Sequence, residues 1–187
     1  MQKFFLPLLI ILLFLTGCTK KEEKQKKVSK EVEKPVIKET PPVYTFYDTS
    51  NHKRVVKIVD DKFIIPNGKN IEIFVFFATW CPSCKAEIPE LNELYKTFQN
   101  RIDIIALPLD KKNLEEFIQE NHMDYFVSRS VDHNLQFAQK VYAMLQAGAN
   151  MPIPLTLILQ DGKYYMHYIG AVPYEIFHSD IKKALGE

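Results

Sequence analysis

An α/β domain, a central mixed sheet flanked by helices, is the fold class the sequence predicts, and three observations carry it. Ile71 to Phe77 is a near-continuous apolar and β-branched run, the mark of a strand buried on both faces. After it, stretches with apolar residues at helical spacing alternate with further strand-like runs. Asp161-Gly162 then separates two strand-like segments near the carboxyl end, the signature of a tight hairpin. Alternating strands and helices followed by a hairpin give a mixed rather than a purely parallel sheet.

The elements follow in order. Val43 to Tyr47 reads as a strand, Asp48 to Asn51 as a turn and Val55 to Val59 as a second strand, making an amino-terminal hairpin. Asn67-Gly68 marks a turn before the central run. From Pro82 to about Gln99, Ile88, Leu91, Leu94, Tyr95 and Phe98 recur at helical spacing. Pro82 occupies the first turn, where a missing N–H costs little, and Pro89 falls inside, where it should bend the helix. Ile102 to Leu107 is another strand. Asn113, with Glu116 three residues on, predicts a capped helix to about Asn121. Asp132 to Leu145 is helical, with Leu135, Ala138, Tyr142 and Leu145 on one face; Leu155 to Leu159 and Tyr164 to Ile169 form the hairpin; Tyr174 to about Leu185 is the last helix. There is no internal repeat.

The chain has 187 residues, of which 47% are apolar, enough to bury a real core. Its formal net charge of +1 lacks the basic excess of a nucleic-acid-binding domain, so no nucleic-acid partner is expected. Three cysteines are present, Cys18, Cys81 and Cys84, and an odd count asks what becomes of the third thiol.

The amino-terminal segment answers that question. Lys3 precedes an apolar run from Phe4 to Leu15, the pattern of a signal peptide and short of the ~20 apolar residues a spanning helix needs. The run ends in Leu15-Thr16-Gly17-Cys18, with small residues before the cysteine. This segment resembles a bacterial lipobox. The resemblance implies cleavage before Cys18 and acylation of that residue, and an anchor of several acyl chains holds stably where one chain would not. The alternative is an uncleaved anchor with an incidental cysteine. The expected division is a signal peptide over 1–17, a lipidated cysteine and charged tether over 18–42, and the folded domain over 43–187. The tether is rich in Lys and Glu, carries Pro35, Pro41 and Pro42, and has no apolar periodicity. The expected location is the extracytoplasmic, periplasmic side of a bacterial membrane.

Cys81-Pro82-Ser83-Cys84 places two sulfurs about one helical turn apart at the start of a helix. There the first sulfur meets unpaired N–H groups and the positive end of the helix dipole, which favour the nucleophilic thiolate. Cys81 is therefore the expected attacking sulfur and Cys84 the resolving one. Trp80 is placed to cover the pair, and Thr79 continues the loop. The competing readings are a structural disulfide, which would close a tiny loop and stabilise little, and a metal site. A structural zinc site takes four ligands, and the five histidines show no ligand spacing; no metal and no cofactor beyond the Cys81–Cys84 couple is expected.

The phrase Phe76-Phe77-Ala78-Thr79-Trp80-Cys81-Pro82-Ser83-Cys84-Lys85-Ala86-Glu87-Ile88-Pro89 resembles the thioredoxin superfamily, and within it the TlpA/ResA-like branch of membrane-anchored oxidoreductases. Gly68-Lys69, Asp110 and Asp161-Gly162 add weaker matches, and the resemblance spans Val43 to the carboxyl terminus. It implies a thioredoxin-like fold with an added amino-terminal hairpin and an activity of thiol–disulfide exchange. It also implies a cis-proline opposite the disulfide, best matched by Ile153-Pro154 with Pro152 as competitor, whose preceding backbone would pair with a client strand. Glu87, three residues after Cys84 on the same predicted helix face, matches a glutamate that in this branch tunes the proton affinity of the cysteines. Val75 stands where thioredoxin itself carries a buried aspartate, Phe77 replaces a tryptophan, and Met144 to Pro152 is longer than expected.

The function expected is a reductant of disulfides in exported proteins, including apocytochrome c during cytochrome c maturation, recharged by a membrane thiol-reductant donor. Oxidation or isomerisation of exported proteins is the alternative direction. A copper-binding assembly factor is the alternative of a different class, and the two-residue Cys spacing tells against it.

Overall fold

The computed structural model describes residues 41–187. The signal peptide, Cys18 and nearly all of the expected tether lie outside the described residues; Pro41 and Pro42, its last two, are exposed and precede the first strand. The elements are β1 (Val43–Tyr47), β2 (Lys53–Val59), β3 (Lys62–Ile64), β4 (Ile71–Phe77), α1 (Pro82–Phe98), β5 (Ile102–Pro108), α2 (Leu114–Glu120), β6 (Phe126–Val127), α3 (Val131–Leu145), β7 (Leu155–Gln160), β8 (Lys163–Ile169) and α4 (Tyr174–Ala184). Among the described residues no helix is long and apolar enough to cross a membrane.

Five strands form the central sheet in the order β6-β5-β4-β7-β8. β4 pairs in parallel with β5, and β5 with β6; β7 runs antiparallel to both β4 and β8. The sheet is mixed, as expected, with β4 at its centre. Every residue of β4 is buried, and its side chains alternate between two cores. Ile71, Ile73, Val75 and Phe77 pack with Cys84, Ile88, Leu91 and Leu94 of α1 and with Phe177 and Ile181 of α4. Phe74 and Phe76 point the other way, into a core shared with α3 and the small sheet.

That small sheet is larger than expected. Instead of a hairpin it has three antiparallel strands in the order β1-β2-β3. The turn from β2 to β3 is Asp60-Asp61, both at positive φ, 48° and 58°. Two-residue hairpin turns of this kind need positive φ at both positions and usually take Asn-Gly or Asp-Gly; aspartate tolerates that region. The sequence therefore hid the turn, and a three-residue strand between it and Pro66 was too short to show a period. The second strand also starts at Lys53 rather than Val55.

The helices correct the expectation at one point. Asn113 does not cap α2 through its side chain; it sits at φ 35° with no side-chain cap hydrogen bond, and its Nδ2 donates instead to Glu116 Oε2 at 3.2 Å. The glutamate expected to complete a capping box has taken the asparagine for itself. Pro89 lies within α1, which continues through it to Phe98.

Phe137 of α3 joins the small sheet to the central one. Its ring centroid lies 5.0 Å from that of Tyr44, 5.5 Å from Phe46, 6.1 Å from Phe63, 5.1 Å from Phe74 and 5.9 Å from Phe76. The Arg129 backbone and side chain fasten the edge of the sheet: its N–H donates to Tyr47 O at 2.8 Å and its Nε to Asp48 O at 2.9 Å. Gly162 closes the other side. The Phe63 amide donates to its carbonyl at 2.8 Å, and a Cβ on Gly162 would fall 2.2 Å from Phe63 O.

Truncating a buried aromatic residue removes its transfer free energy and leaves a cavity. Phe137→Ala should therefore cost about 3–5 kcal/mol. Urea unfolding should show a lower midpoint at an unchanged slope.

Candidate active site

β4 ends at Phe77, and Ala78-Thr79-Trp80 leads into Cys81, the N-cap residue of α1. Two contacts fix this link. The Leu109 amide donates to Phe77 O at 2.8 Å. Asp110, just beyond β5, accepts from Thr79 N–H at 2.9 Å and from Thr79 Oγ1 at 2.5 Å. The sequence singled out Asp110 only as a weak family match; its tie to the active-site loop could not be seen without the parallel pairing of β4 and β5.

Cys81 and Cys84 form a disulfide, with their Cα atoms 5.3 Å apart. An N-cap side chain ordinarily supplies an oxygen to an otherwise unpaired amide. Here the Cys81 sulfur takes that place, accepting from Cys84 N–H at 3.2 Å. Ser83 Oγ lies 3.3 Å from the same sulfur. Both cysteines are buried, Cys81 at 4% exposure and Cys84 at 2%. The asymmetry between them is thus one of hydrogen bonding: the Cys81 sulfur holds the cap position and Cys84 lies within the helix. Pro82 and Ser83 are exposed. Trp80 is 65% exposed, so most of its ring is free surface beside the disulfide and not a packed cover.

Opposite the disulfide the Ile153–Pro154 peptide bond is cis. Ile153 O lies 4.0 Å from Cys81 Sγ, and Pro154 O accepts from Gly170 N–H at 2.9 Å. The competitor, Pro152, offers its carbonyl to Tyr142 Oη at 2.7 Å.

Glu87 is 1% exposed and shares the buried face of α1 with Cys84, Ile88 and Leu91. Its carboxylate accepts from Thr156 Oγ1 and from Val172 N–H, each at 3.3 Å. Burial pushes its pKa up to about 7, and the Val172 and Thr156 hydrogen bonds offset only part of that rise. Lys85, the partner a solvated glutamate would take, instead holds its Nζ 5.8 Å above the Phe117 ring. Thr156 and Val172 were not legible as partners, because β7 and the loop before α4 are far from Glu87 in sequence. Val75, in register with Thr156 on β7 and Ala106 on β5, fills the strand position where thioredoxin carries its carboxylate.

Three of the histidines have other partners. His52 contacts Asp48 at 2.8 Å, His133 Nδ1 accepts from Thr45 N–H at 3.3 Å, and His167 meets Tyr164 Oη at 3.0 Å. Among the described residues no group of three or more His, Cys, Asp or Glu side chains is placed to hold a metal ion.

A disulfide between cysteines three residues apart at the first turn of a helix, with its first sulfur at the cap and a cis-proline loop opposite, defines a thiol–disulfide oxidoreductase. The chain belongs to the thioredoxin-like family, which it matches over residues 68–164. It is 28% identical to the thiol–disulfide oxidoreductase ResA of Bacillus cereus over 178 residues, 93% of this chain and 92% of that one. Its fold is similar to StoA from Bacillus subtilis, at a TM-score of 0.55 and 19% identity, covering 76% of this chain and 98% of that one. A thiol:disulfide interchange protein from Chlorobium tepidum aligns with a TM-score of 0.58 at 23% identity, over 79% of this chain and 97% of that one.

The buried carboxyls make stability depend on pH. Glu87 and Glu72 both have pKa values raised to about 7, each by burial first, with Asp103 and Asp161 adding to the effect on Glu72. A carboxyl with a raised folded-state pKa binds more protons folded than unfolded between the two values, so stability falls as pH rises through that window. Unfolding free energy should decline between pH 4.5 and about 7 and level off above it. Each group contributes about 3 kcal/mol to that decline. Urea titrations across this range should show about half the slope in Glu87→Gln and almost none in Glu72→Gln/Glu87→Gln.

Proposed function

We propose that this chain is a lipid-anchored, extracytoplasmic dithiol that reduces protein disulfides, with Cys81 as the attacking and Cys84 as the resolving sulfur. The observation that carries the assignment of roles is the Cys84 amide donated to the Cys81 sulfur at the helix start. Negative charge on Cys81 receives that hydrogen bond and the positive end of the α1 dipole, so its thiolate is favoured.

In the reduced protein the Cys81 thiolate attacks one sulfur of a client disulfide. A Cys81–client bond forms, the client S–S bond breaks, and the first client sulfur leaves as a thiolate that takes a proton from water. Cys84 then gives its proton to the Glu87 carboxylate and attacks the Cys81 sulfur. The Cys81–Cys84 bond forms and the second client thiolate leaves. Two electrons have passed to the client, and a membrane thiol-reductant donor must return them before the next cycle. A base with a pKa near working pH suits that transfer. Trp80, Pro82, Ser83, Ile153 and Pro154 frame the sulfurs and would contact the client.

The client class proposed is exported protein with paired cysteines, apocytochrome c among them, on the resemblance to the ResA-like branch. The anchor rests on Leu15-Thr16-Gly17-Cys18. The direction of transfer is read from the potential of the Cys81/Cys84 couple: about −270 mV supports a reductant and about −120 mV an oxidant.

Two measurements test this reading. Cys84→Ser should accumulate mixed disulfides through Cys81 on non-reducing gels, since attack remains and resolution is lost; cells carrying that variant without any client adduct would refute the role of Cys81. Cys18→Ala should end acylation and move the protein into the soluble fraction. Retention on membranes after salt washing would remove the lipid anchor from the proposal.

A further inference from the structure

The active-site loop shows its largest side chain to solvent without packing it into the protein. Trp80 is the only tryptophan of the chain and is 65% exposed. It stands between Thr79 and Cys81, which are both buried, yet it belongs to neither packed core. The direction of its ring is therefore set by the backbone that carries it.

That backbone is held on both sides. After Trp80, the Cys81 N–H donates to Ala78 O at 3.1 Å, and the Cys81 sulfur accepts from Cys84 N–H. Before it, Thr79 gives both of its donors to one carboxylate: its N–H to Asp110 Oδ1 and its hydroxyl to Asp110 Oδ2. An ionised carboxylate accepts several hydrogen bonds and donates none, so it suits a neighbour that presents two donors. Ala78 and Cys81 have the core to hold them as well; Thr79 has Asp110.

Asp110 is itself tied to a rigid frame, two residues beyond the end of β5. Leu109 before it donates to Phe77 O. Pro108 O accepts from Asn134 Nδ2 at 2.9 Å, and Asn134 Oδ1 accepts from Ser128 Oγ at 2.7 Å, with Asn134 and Ser128 fully buried.

We propose that Asp110 is a positioning residue for client choice: through Thr79 it fixes the orientation of Trp80, so that a client chain meets the ring already in place beside Cys81. The proposal rests on the reading that the clients are protein disulfides and that Trp80 contacts them. A side chain ordered before binding spares the complex the entropy of ordering it then. Without Asp110 the Cys81 sulfur keeps its own contacts, while the ring must be ordered anew by each client. The loss falls on the binding of protein clients. A small disulfide has no chain to lay on the ring and is not affected.

The test uses the full chain in detergent, with Trp80 as its own probe. Time-resolved fluorescence anisotropy of the reduced protein should show the ring turning with the domain, and Asp110→Ala should add a fast component. Single turnovers are then followed by rapid quench: the Cys81/Cys84 dithiol is oxidised, and one disulfide of insulin, or hydroxyethyl disulfide in its place, is reduced to two thiols. Asp110→Ala should raise the half-saturating insulin concentration by about two- to tenfold at an unchanged plateau rate. The small disulfide should be reduced at the wild-type rate. Asp110→Asn keeps an acceptor for the Thr79 amide and removes the charge; it should stay near wild type in every measurement. In a Trp80→Ala background, Asp110→Ala should change nothing more with insulin. An unchanged anisotropy decay overturns the proposal. So does an equal slowing of both substrates, an Asp110→Asn variant as impaired as Asp110→Ala, or an insulin defect that persists without Trp80. If Trp80→Ala alone leaves insulin reduction unaltered, it is the reading of Trp80 as a client contact that fails, and the role of Asp110 in client choice falls with it, whatever the anisotropy.

Discussion

Strand β4 sends its odd-numbered residues into one core and its even-numbered residues into the other, and this two-sided burial fixes its register. A slip by one residue would exchange Val75 and Phe77 for Phe74 and Phe76 and carry Glu72 into the wrong core. The end of β4 is therefore fixed in space, and so is the start of α1 a few residues later. The neighbouring strand secures the junction a second time, through the Leu109 amide on Phe77 and the Asp110 carboxylate on Thr79. The Cys81 sulfur inherits its position from these contacts. Its hydrogen bond from Cys84 N–H is the last link in a chain that begins with core packing.

The same strand accounts for where the buried carboxyl stands. With Val75 at the strand position, β4 presents only hydrocarbon to α1. The carboxyl comes from the helix instead, at Glu87, and reaches across to Thr156, which pairs with Val75 in register on β7. A carboxyl on the helix moves with the cysteines, since all three belong to the first turns of α1. One on the strand would depend on how helix and sheet are seated. Its pKa near 7 lets it hold or release a proton at neutral pH with little driving force either way.

Much of this was legible in the sequence, and the reasons for the rest are physical. The β4 run, the helical spacing after Pro82 and the Asp161-Gly162 turn are local signals, and each marks an element where the structure has one. The cysteine pair and the glutamate three residues on could be placed together because helix geometry is itself local. Short elements were lost: β6 is two residues long and β3 three, too few to display a period. Asp60-Asp61 hid a hairpin because the usual glycine is missing. Asn113 misled because its side chain bonds Glu116 rather than the helix backbone. Contacts made across the chain, Phe137 with five aromatic rings and Tyr125 with Tyr95 of α1, have no local signature at all.

The added sheet bears on access to the sulfurs. β1, β2 and β3 pack with α3 on the core that contains Phe74 and Phe76, whereas Cys81 and Cys84 belong to the core on the other side of β4. The extra strands thus cover one face of the central sheet, and the disulfide belongs to the other. Access is limited instead by the site itself, where both cysteines are almost wholly buried and Pro82, Ser83 and Trp80 supply the exposed surface beside them. In the proposed exchange a client sulfur must displace contacts that now shield Cys81, and the client chain must replace them. Trp80 offers a large apolar surface for that purpose, and burying such a ring is strongly favourable. A small thiol brings no comparable surface. The geometry therefore favours clients that present their cysteines on an accessible stretch of chain.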